Sequence, residues 1–161
     1  MEVLWSPWRY DYIKEHSPAE MSGCVFCDII SNGRSDEENF IVFRGEHNFV
    51  VLNIYPYTSG HTMIVPYEHL GMPSDAPDEA AVEMVRLLQR CQAAIWQAYS
   101  PDGINLGMNL GKAAGAGVRD HYHMHILPRW IGDVNFMTAI GQTRTLPESL
   151  IDSYDKLRRH F

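Results

Sequence analysis

With 161 residues, 45% of them hydrophobic and 20% charged, the chain can bury one substantial core, which excludes disorder for most of its length. A formal charge of −7 leaves no global basic surface, so long nucleic acid is not an expected partner, whereas a small phosphorylated ligand in one local pocket is compatible with it. No apolar run reaches bilayer length, Met1 to Arg9 lacks the pattern of a secretion signal, and an odd cysteine count with a tight Cys24-x-x-Cys27 pair fits a reducing cytoplasm better than a disulfide framework.

The first 39 residues read as mostly irregular, with Trp5, Trp8, Tyr10 and Tyr12 as aromatic anchors and the cysteine pair near their end. From residue 40 the core begins, and the whole of 1–161 is expected to form one domain. Phe40 to Phe43 reads as a strand, Gly45 to Asn48 as a turn, and Phe49 to Asn53 as the returning strand of a hairpin. Pro56 to Gly60 breaks the chain, and Thr62 to Val65 is a third strand stopped by Pro66. Asp78 to Tyr99 is the clearest helix, with Asp75 as N-cap, Pro77 in its first turn, and Ala81, Val85, Leu88, Cys91, Ile95 and Ala98 as its buried face. Pro101-Asp102-Gly103 ends it. A strand from Ile104 to Leu110, a small-residue loop through Gly117, a last strand from His121 to Arg129 and a short helix from Glu148 to Arg159 complete the chain. Antiparallel strands with one long helix between them predict an α+β domain.

His121-Tyr122-His123-Met124-His125 is the most informative stretch. On a strand its histidines share one face, while Tyr122, Met124 and Ile126 share the other, and successive imidazoles stand roughly 6.5–7 Å apart at the backbone. A neutral imidazole, with an ordinary pKa of about 6.5, is a competent nucleophile toward phosphorus, and its neighbour can hydrogen-bond a phosphate oxygen or protonate a leaving group. The loop Gly111 to Gly117, with Lys112, can offer backbone N–H groups and one cation to phosphates. Histidines at this spacing can also be metal ligands. The Cys24/Cys27 spacing suits one tetrahedral metal but supplies only half its donors; a free buried pair or a redox dithiol are the alternatives. Cys91, on the helix, reads as a small core residue. His61 opens a strand where a turn-capping role competes with a substrate contact.

His121-Tyr122-His123-Met124-His125-Ile126-Leu127 resembles the His-φ-His-φ-His-φ-φ motif of the histidine triad (HIT) superfamily, φ being apolar. The likeness extends to Cys24 through Ile30 and to Gly60-His61 through Pro66-Tyr67-Glu68-His69. Trp5 to Arg9 and Pro128 to Met137 look like a bacterial branch related to diadenosine tetraphosphate phosphorylases. The resemblance implies an antiparallel HIT-like sheet with one long helix and a short C-terminal helix, a homodimer, and action on nucleoside phosphate anhydrides, esters or phosphoramidates. By that likeness His123 attacks the α-phosphorus to form a nucleotidyl-enzyme intermediate, and His125 contacts the phosphate near the leaving group. Asn53 matches the ribose-binding position and Asn109 a polar residue on the phosphate side. It also supplies His69 and His121 as the histidines that join Cys24 and Cys27 around a closed, structural zinc. No organic cofactor is implied. Where many relatives carry Gln followed by Ser or Thr, this chain has Gly117, Val118, Arg119 and Asp120, which removes two side-chain hydrogen bonders and adds one charge of each sign beside the expected phosphates. Two competing functions are a zinc-dependent hydrolase using the triad as metal ligands and a nucleotide-binding module without catalysis.

Overall fold

The computed structural model describes residues 23–134, 140 and 146–161. The aromatic anchors Trp5, Trp8, Tyr10 and Tyr12, and the Asn135–Met137 end of the C-terminal likeness, lie outside them. The elements are α1 (Val25–Ser31), β1 (Ile41–Arg44), β2 (Asn48–Leu52), β3 (Thr62–Pro66), α2 (Asp78–Tyr99), β4 (Gly103–Gly107), β5 (Met124–Arg129) and α3 (Leu150–Arg158). The strands form one antiparallel sheet in the order β1-β2-β3-β5-β4, so the α+β expectation holds. Among the described residues no helix is long and apolar enough to cross a membrane.

The period-2 alternation of the strands fills two separate apolar layers. Val42, Val50, Leu52, Ile64, Tyr122 and Ile126 pack beneath α2 and α3 with Met84, Leu87, Cys91, Ile95, Tyr154 and Leu157. Ile41, Phe49, Val51, Met63 and Val65 form the opposite layer with Phe26 of α1. Covering both faces of the sheet is why β2 and β3 read as continuous apolar runs and are buried along their whole length.

Several boundaries and one face differ from the sequence reading. A short helix, α1, stands where irregular chain was expected. The buried residues of α2 are Ala80, Met84, Leu87, Cys91, Ala94 and Ile95, while Ala81 faces solvent and Val85 is 56% exposed. The face is rotated by about one residue because α2 carries adjacent apolar pairs (Ala80-Ala81, Met84-Val85, Leu87-Leu88), and packing on Val50, Ile64 and Ile126 selects one member of each. Pro77, not Asp75, holds the N-cap position; Asp75 belongs to a 3-10 turn, Pro73–Asp75. β4 stops at Gly107 instead of Leu110. β5 begins at Met124, so His121 to His123 precede the regular ladder, the Tyr122 N–H donating to Leu70 O at 2.7 Å in place of a strand neighbour.

Two tight contacts tie loops of the sheet to α2. Glu83 of α2 accepts the backbone N–H groups of Glu46, His47 and Asn48 at 2.6, 2.8 and 2.7 Å, which ties the β1–β2 turn to the helix. Gly60 has φ +73°, and a Cβ there would lie 2.6 Å from the Tyr99 ring, so only glycine lets the chain turn into His61 this close to α2.

Candidate active site and metal centre

The histidines lie on the α1 side of the sheet, opposite the helix-packed core. β3 and β5 bring Met63 opposite His125, and the chain entering β3 sets His61 beside it. His61, His121, His123 and His125 are all buried.

Each of these four rings has one nitrogen committed to a partner that fixes its tautomer. A carbonyl can only accept and a backbone N–H can only donate, so proton positions follow from the partners. His123 Nδ1 lies 3.0 Å from His121 O and must donate to it, which leaves the lone pair on Nε2. His61 Nδ1 accepts from the Tyr57 backbone N–H at 3.2 Å, with Asn53 Nδ2 3.3 Å away. Its Nε2–H therefore donates to His125 Nδ1 at 2.9 Å, and the proton of His125 resides on Nε2. His121 Nε2 donates to Pro66 O at 2.8 Å, freeing Nδ1.

The surroundings favour neutral rings. Burial pushes the pKa of His61 down from 6.5 to about 3, with His125 and His123 adding to it. Burial, then His123, brings His125 down to about 4. Burial also lowers His123, against the opposing pull of its hydrogen bond to His121 O. The His123 and His125 rings meet edge to face with centroids 4.7 Å apart. At neutral pH the site holds an unprotonated Nε2 on His123 next to an N–H donor on His125.

Behind the triad, one donor atom from each of Cys24, Cys27, His69 and His121 lies within 4.8 Å of the others. Cys24 Sγ is 3.3 Å and Cys27 Sγ 3.7 Å from His121 Nδ1, and Cys27 Sγ is 3.3 Å from His69 Nδ1. A tetrahedral zinc, with bonds of about 2.3 Å to sulfur and about 2.0–2.1 Å to nitrogen, sets those atoms roughly 3.6 Å apart. The donor set therefore fits zinc, with the free Nδ1 of His121 already turned toward the thiols. The cluster holds only one of the triad histidines, since His123 and His125 direct their Nδ1 atoms elsewhere.

The residues expected to bind substrate are placed less uniformly. Asn53 is half-buried; its Oδ1 accepts the Tyr55 N–H at 2.9 Å, turning its amide nitrogen toward His61. Asn109 is half-buried just beyond β4. Lys112, in a 3-10 turn, Gly117, Arg119 and Asp120 are exposed, and no hydrogen bond or ion pair among the described residues ties them to the histidines. Val118 packs against the Phe26 layer, so its role there is apolar. Three residues carry more of the site than their sequence context indicated. His61 orients His125, Tyr57 supplies the N–H that sets His61 and lays its ring at a tilt against it with centroids 4.8 Å apart, and Phe26 packs on His123. The available signal for His61 was a lone histidine heading an otherwise apolar strand.

Comparison with known proteins gives one consistent answer. A family model described as "HIT domain" matches residues 34–130. The chain is 37% identical over 163 aligned residues to an AP-4-A phosphorylase of Mycobacterium tuberculosis, covering 95% of this chain and 80% of that protein. Among solved structures it resembles a zinc-bound histidine triad family protein from Mycobacterium smegmatis, with TM-score 0.69, 33% identity, and coverage of 87% of this chain and 93% of the other. A hypothetical histidine triad nucleotide-binding protein from Sulfolobus tokodaii superposes with TM-score 0.65 at 28% identity, covering 85% and 88%.

Proposed function

Because the chain belongs to the HIT domain family, we propose that it cleaves a nucleoside phosphate anhydride, of the diadenosine tetraphosphate kind, through a nucleotidyl intermediate on His123. The observation that carries this reading is the tautomer chain, which leaves a lone pair on His123 Nε2 and a proton on His125 Nε2. In the first step Nε2 of His123 bonds to the α-phosphorus and the bond from phosphorus to the bridging oxygen breaks. The oxygen departs as part of a phosphate chain, hydrogen-bonded by His125 Nε2–H. The ring of His123 then carries phosphorus on Nε2 and a proton on Nδ1, and its positive charge is met by the His121 carbonyl. In the second step inorganic phosphate, or water that gives up a proton to solvent, attacks phosphorus, the P–N bond breaks, and His123 regains its lone pair.

Asn53 serves the ribose hydroxyls, while Asn109, Lys112 and the Gly117-Val118-Arg119 backbone serve the phosphates. Cys24, Cys27, His69 and His121 hold a structural zinc, whose closed coordination supplies rigidity. The separation of His121 from His123 and His125 disfavours a catalytic metal on the triad. The chain works as one HIT-like domain in a homodimer, a reading supported by the position of β4 at the edge of the sheet among the described residues, where Leu106 is 48% exposed.

The test is incubation with diadenosine tetraphosphate, with and without inorganic phosphate, followed by chromatography. ADP plus ATP formed only with phosphate identifies a phosphorylase; AMP plus ATP without it identifies a hydrolase. His123→Ala abolishes either activity, and turnover surviving that substitution would overturn the assignment.

A further inference from the structure

We propose that Phe26 is a positioning residue for His123 and that filling the Cys24/Cys27/His69/His121 set tightens its hold, so that metal centre and nucleophile form one mechanical unit. This rests on the reading of His123 as the nucleophile.

Phe26 sits between the two thiols of the Cys-x-x-Cys turn. It is the buried residue of α1, 3% exposed, and its ring contacts both His121 and His123. The centroid lies 4.9 Å from that of His123 and 5.4 Å from that of His121. The His123 ring is therefore held by three things: its Nδ1–H on His121 O, the edge contact with His125, and the tilted ring of Phe26. The hydrogen bond fixes which nitrogen is protonated, but it still allows the ring to swing about its side-chain torsions. Phe26 blocks that swing on the α1 side, and so sets where Nε2 points.

What holds Phe26 in turn is α1, a helix of seven residues whose N-cap, Cys24, makes no side-chain capping bond. A helix that short does not stand on propensity alone. Its anchors, besides Phe26 itself, are Val25, Ile29 and Ile30 packed on the second apolar layer and the two cysteines next to His69 and His121. Ligation of Cys24 and Cys27 pins both ends of the Cys24–Cys27 turn to the strand-side histidine, and Phe26 lies on the span between them. His121 then acts twice, through its Nδ1 toward the metal and through its carbonyl toward His123.

The experiment compares wild type, Phe26→Ala and Phe26→Leu, each zinc-loaded, with chelated wild type as the fourth sample. The readouts are kcat and KM with diadenosine tetraphosphate, zinc retained after dialysis, and the NMR resonance of the His123 Nδ1–H. That resonance is identified by its loss in His123→Ala and needs no substrate. Phe26→Ala is expected to keep its zinc, to lose about 10²-fold in kcat with KM changed by less than about threefold, and to show a broadened Nδ1–H signal. Phe26→Leu, which refills most of the space, restores the signal and most of kcat. Chelated wild type broadens the same resonance while the amides of β2 and β3 stay in place. If Phe26→Ala does not fold, an unchanged Nδ1–H signal in the chelated protein overturns the coupling by itself. A raised KM with unchanged kcat makes Phe26 a substrate contact and overturns the positioning role. Activity surviving in His123→Ala refutes the nucleophile, a separate failure that leaves the substrate-free NMR comparison standing as the test of the coupling.

Discussion

Replacing His61 by Ala is the sharpest test of how the site is wired. His61 Nε2 donates to His125 Nδ1 at 2.9 Å while its own Nδ1 accepts the Tyr57 N–H at 3.2 Å. Removing the ring strips the buried His125 Nδ1 of the donor that fixes its tautomer. A buried hydrogen-bonding group left unsatisfied costs about 1–3 kcal/mol. If that cost falls on the orientation of His125 in the transition state, kcat drops roughly 5- to 150-fold. KM moves less, since His61 reaches the substrate only through His125. His61→Gln is the informative partner, because its amide nitrogen sits where the imidazole Nε2 was and can still donate to His125. Steady-state kinetics on diadenosine tetraphosphate, with urea denaturation of the same samples, separate catalysis from folding. Full kcat in His61→Ala, or His61→Gln no better than His61→Ala, would refute the relay.

Acid should expose the same pair. His61 and His125 titrate at about 3 and about 4 in the fold but near 6.5 when unfolded, so between those values the unfolded chain binds more protons and stability falls as pH is lowered. Each group contributes up to about 1.4 kcal/mol per pH unit, and the wild-type urea midpoint should drop more steeply from pH 6.5 to 4 than that of His61→Leu; parallel slopes would contradict the buried neutral assignment. Chelation should lower the melting temperature and Cys24→Ser should reduce zinc below one per chain; a free zinc concentration 10³-fold above Kd stabilises by about 4 kcal/mol. Gly60→Ala forces both φ +73° and a clash with Tyr99, so a loss of about 1–3 kcal/mol is expected in denaturation, and an unchanged midpoint would mean the turn relaxes freely. Leu87→Ala should cost about 2–5 kcal/mol while Val85→Ala stays within about 0.5, which a melt comparison checks directly.

The sequence was most legible where a local signal is also the tertiary one. α2 ran from Asp78 to Tyr99 as expected, since prolines bracket it and its length is ample for periodicity. Its face was not legible, because two apolar stripes about 100° apart compete and only contact with the sheet chooses between them. α1 escaped notice because seven residues carry too little periodicity, and what holds the helix is apolar packing on the sheet and two cysteines that meet partners 42 to 97 residues away. Cys24, Cys27, His69 and His121 converge as the resemblance implied. The role of His61 was hidden for a different reason: it depends on a main-chain N–H four residues earlier in the chain and a ring on another strand.

The same alternation that made the triad readable also protects it. Tyr122 and Ile126 are buried in the α2 layer, and His123 and His125 face the α1 layer. A slip of β5 by one residue would drive the two histidines under α2, where their ring nitrogens meet no polar partner, and turn Tyr122 toward Phe26. The proton positions of His61, His121, His123 and His125 rest on main-chain groups or on another ring so fixed: His121 O, Pro66 O and the Tyr57 N–H. Register therefore determines tautomer, and tautomer determines which nitrogen can attack. Substitutions that preserve side-chain chemistry but shift the backbone at Pro66 or Leu70 should impair catalysis as directly as changes to the histidines, because those carbonyls hold the strand segment that presents the nucleophile.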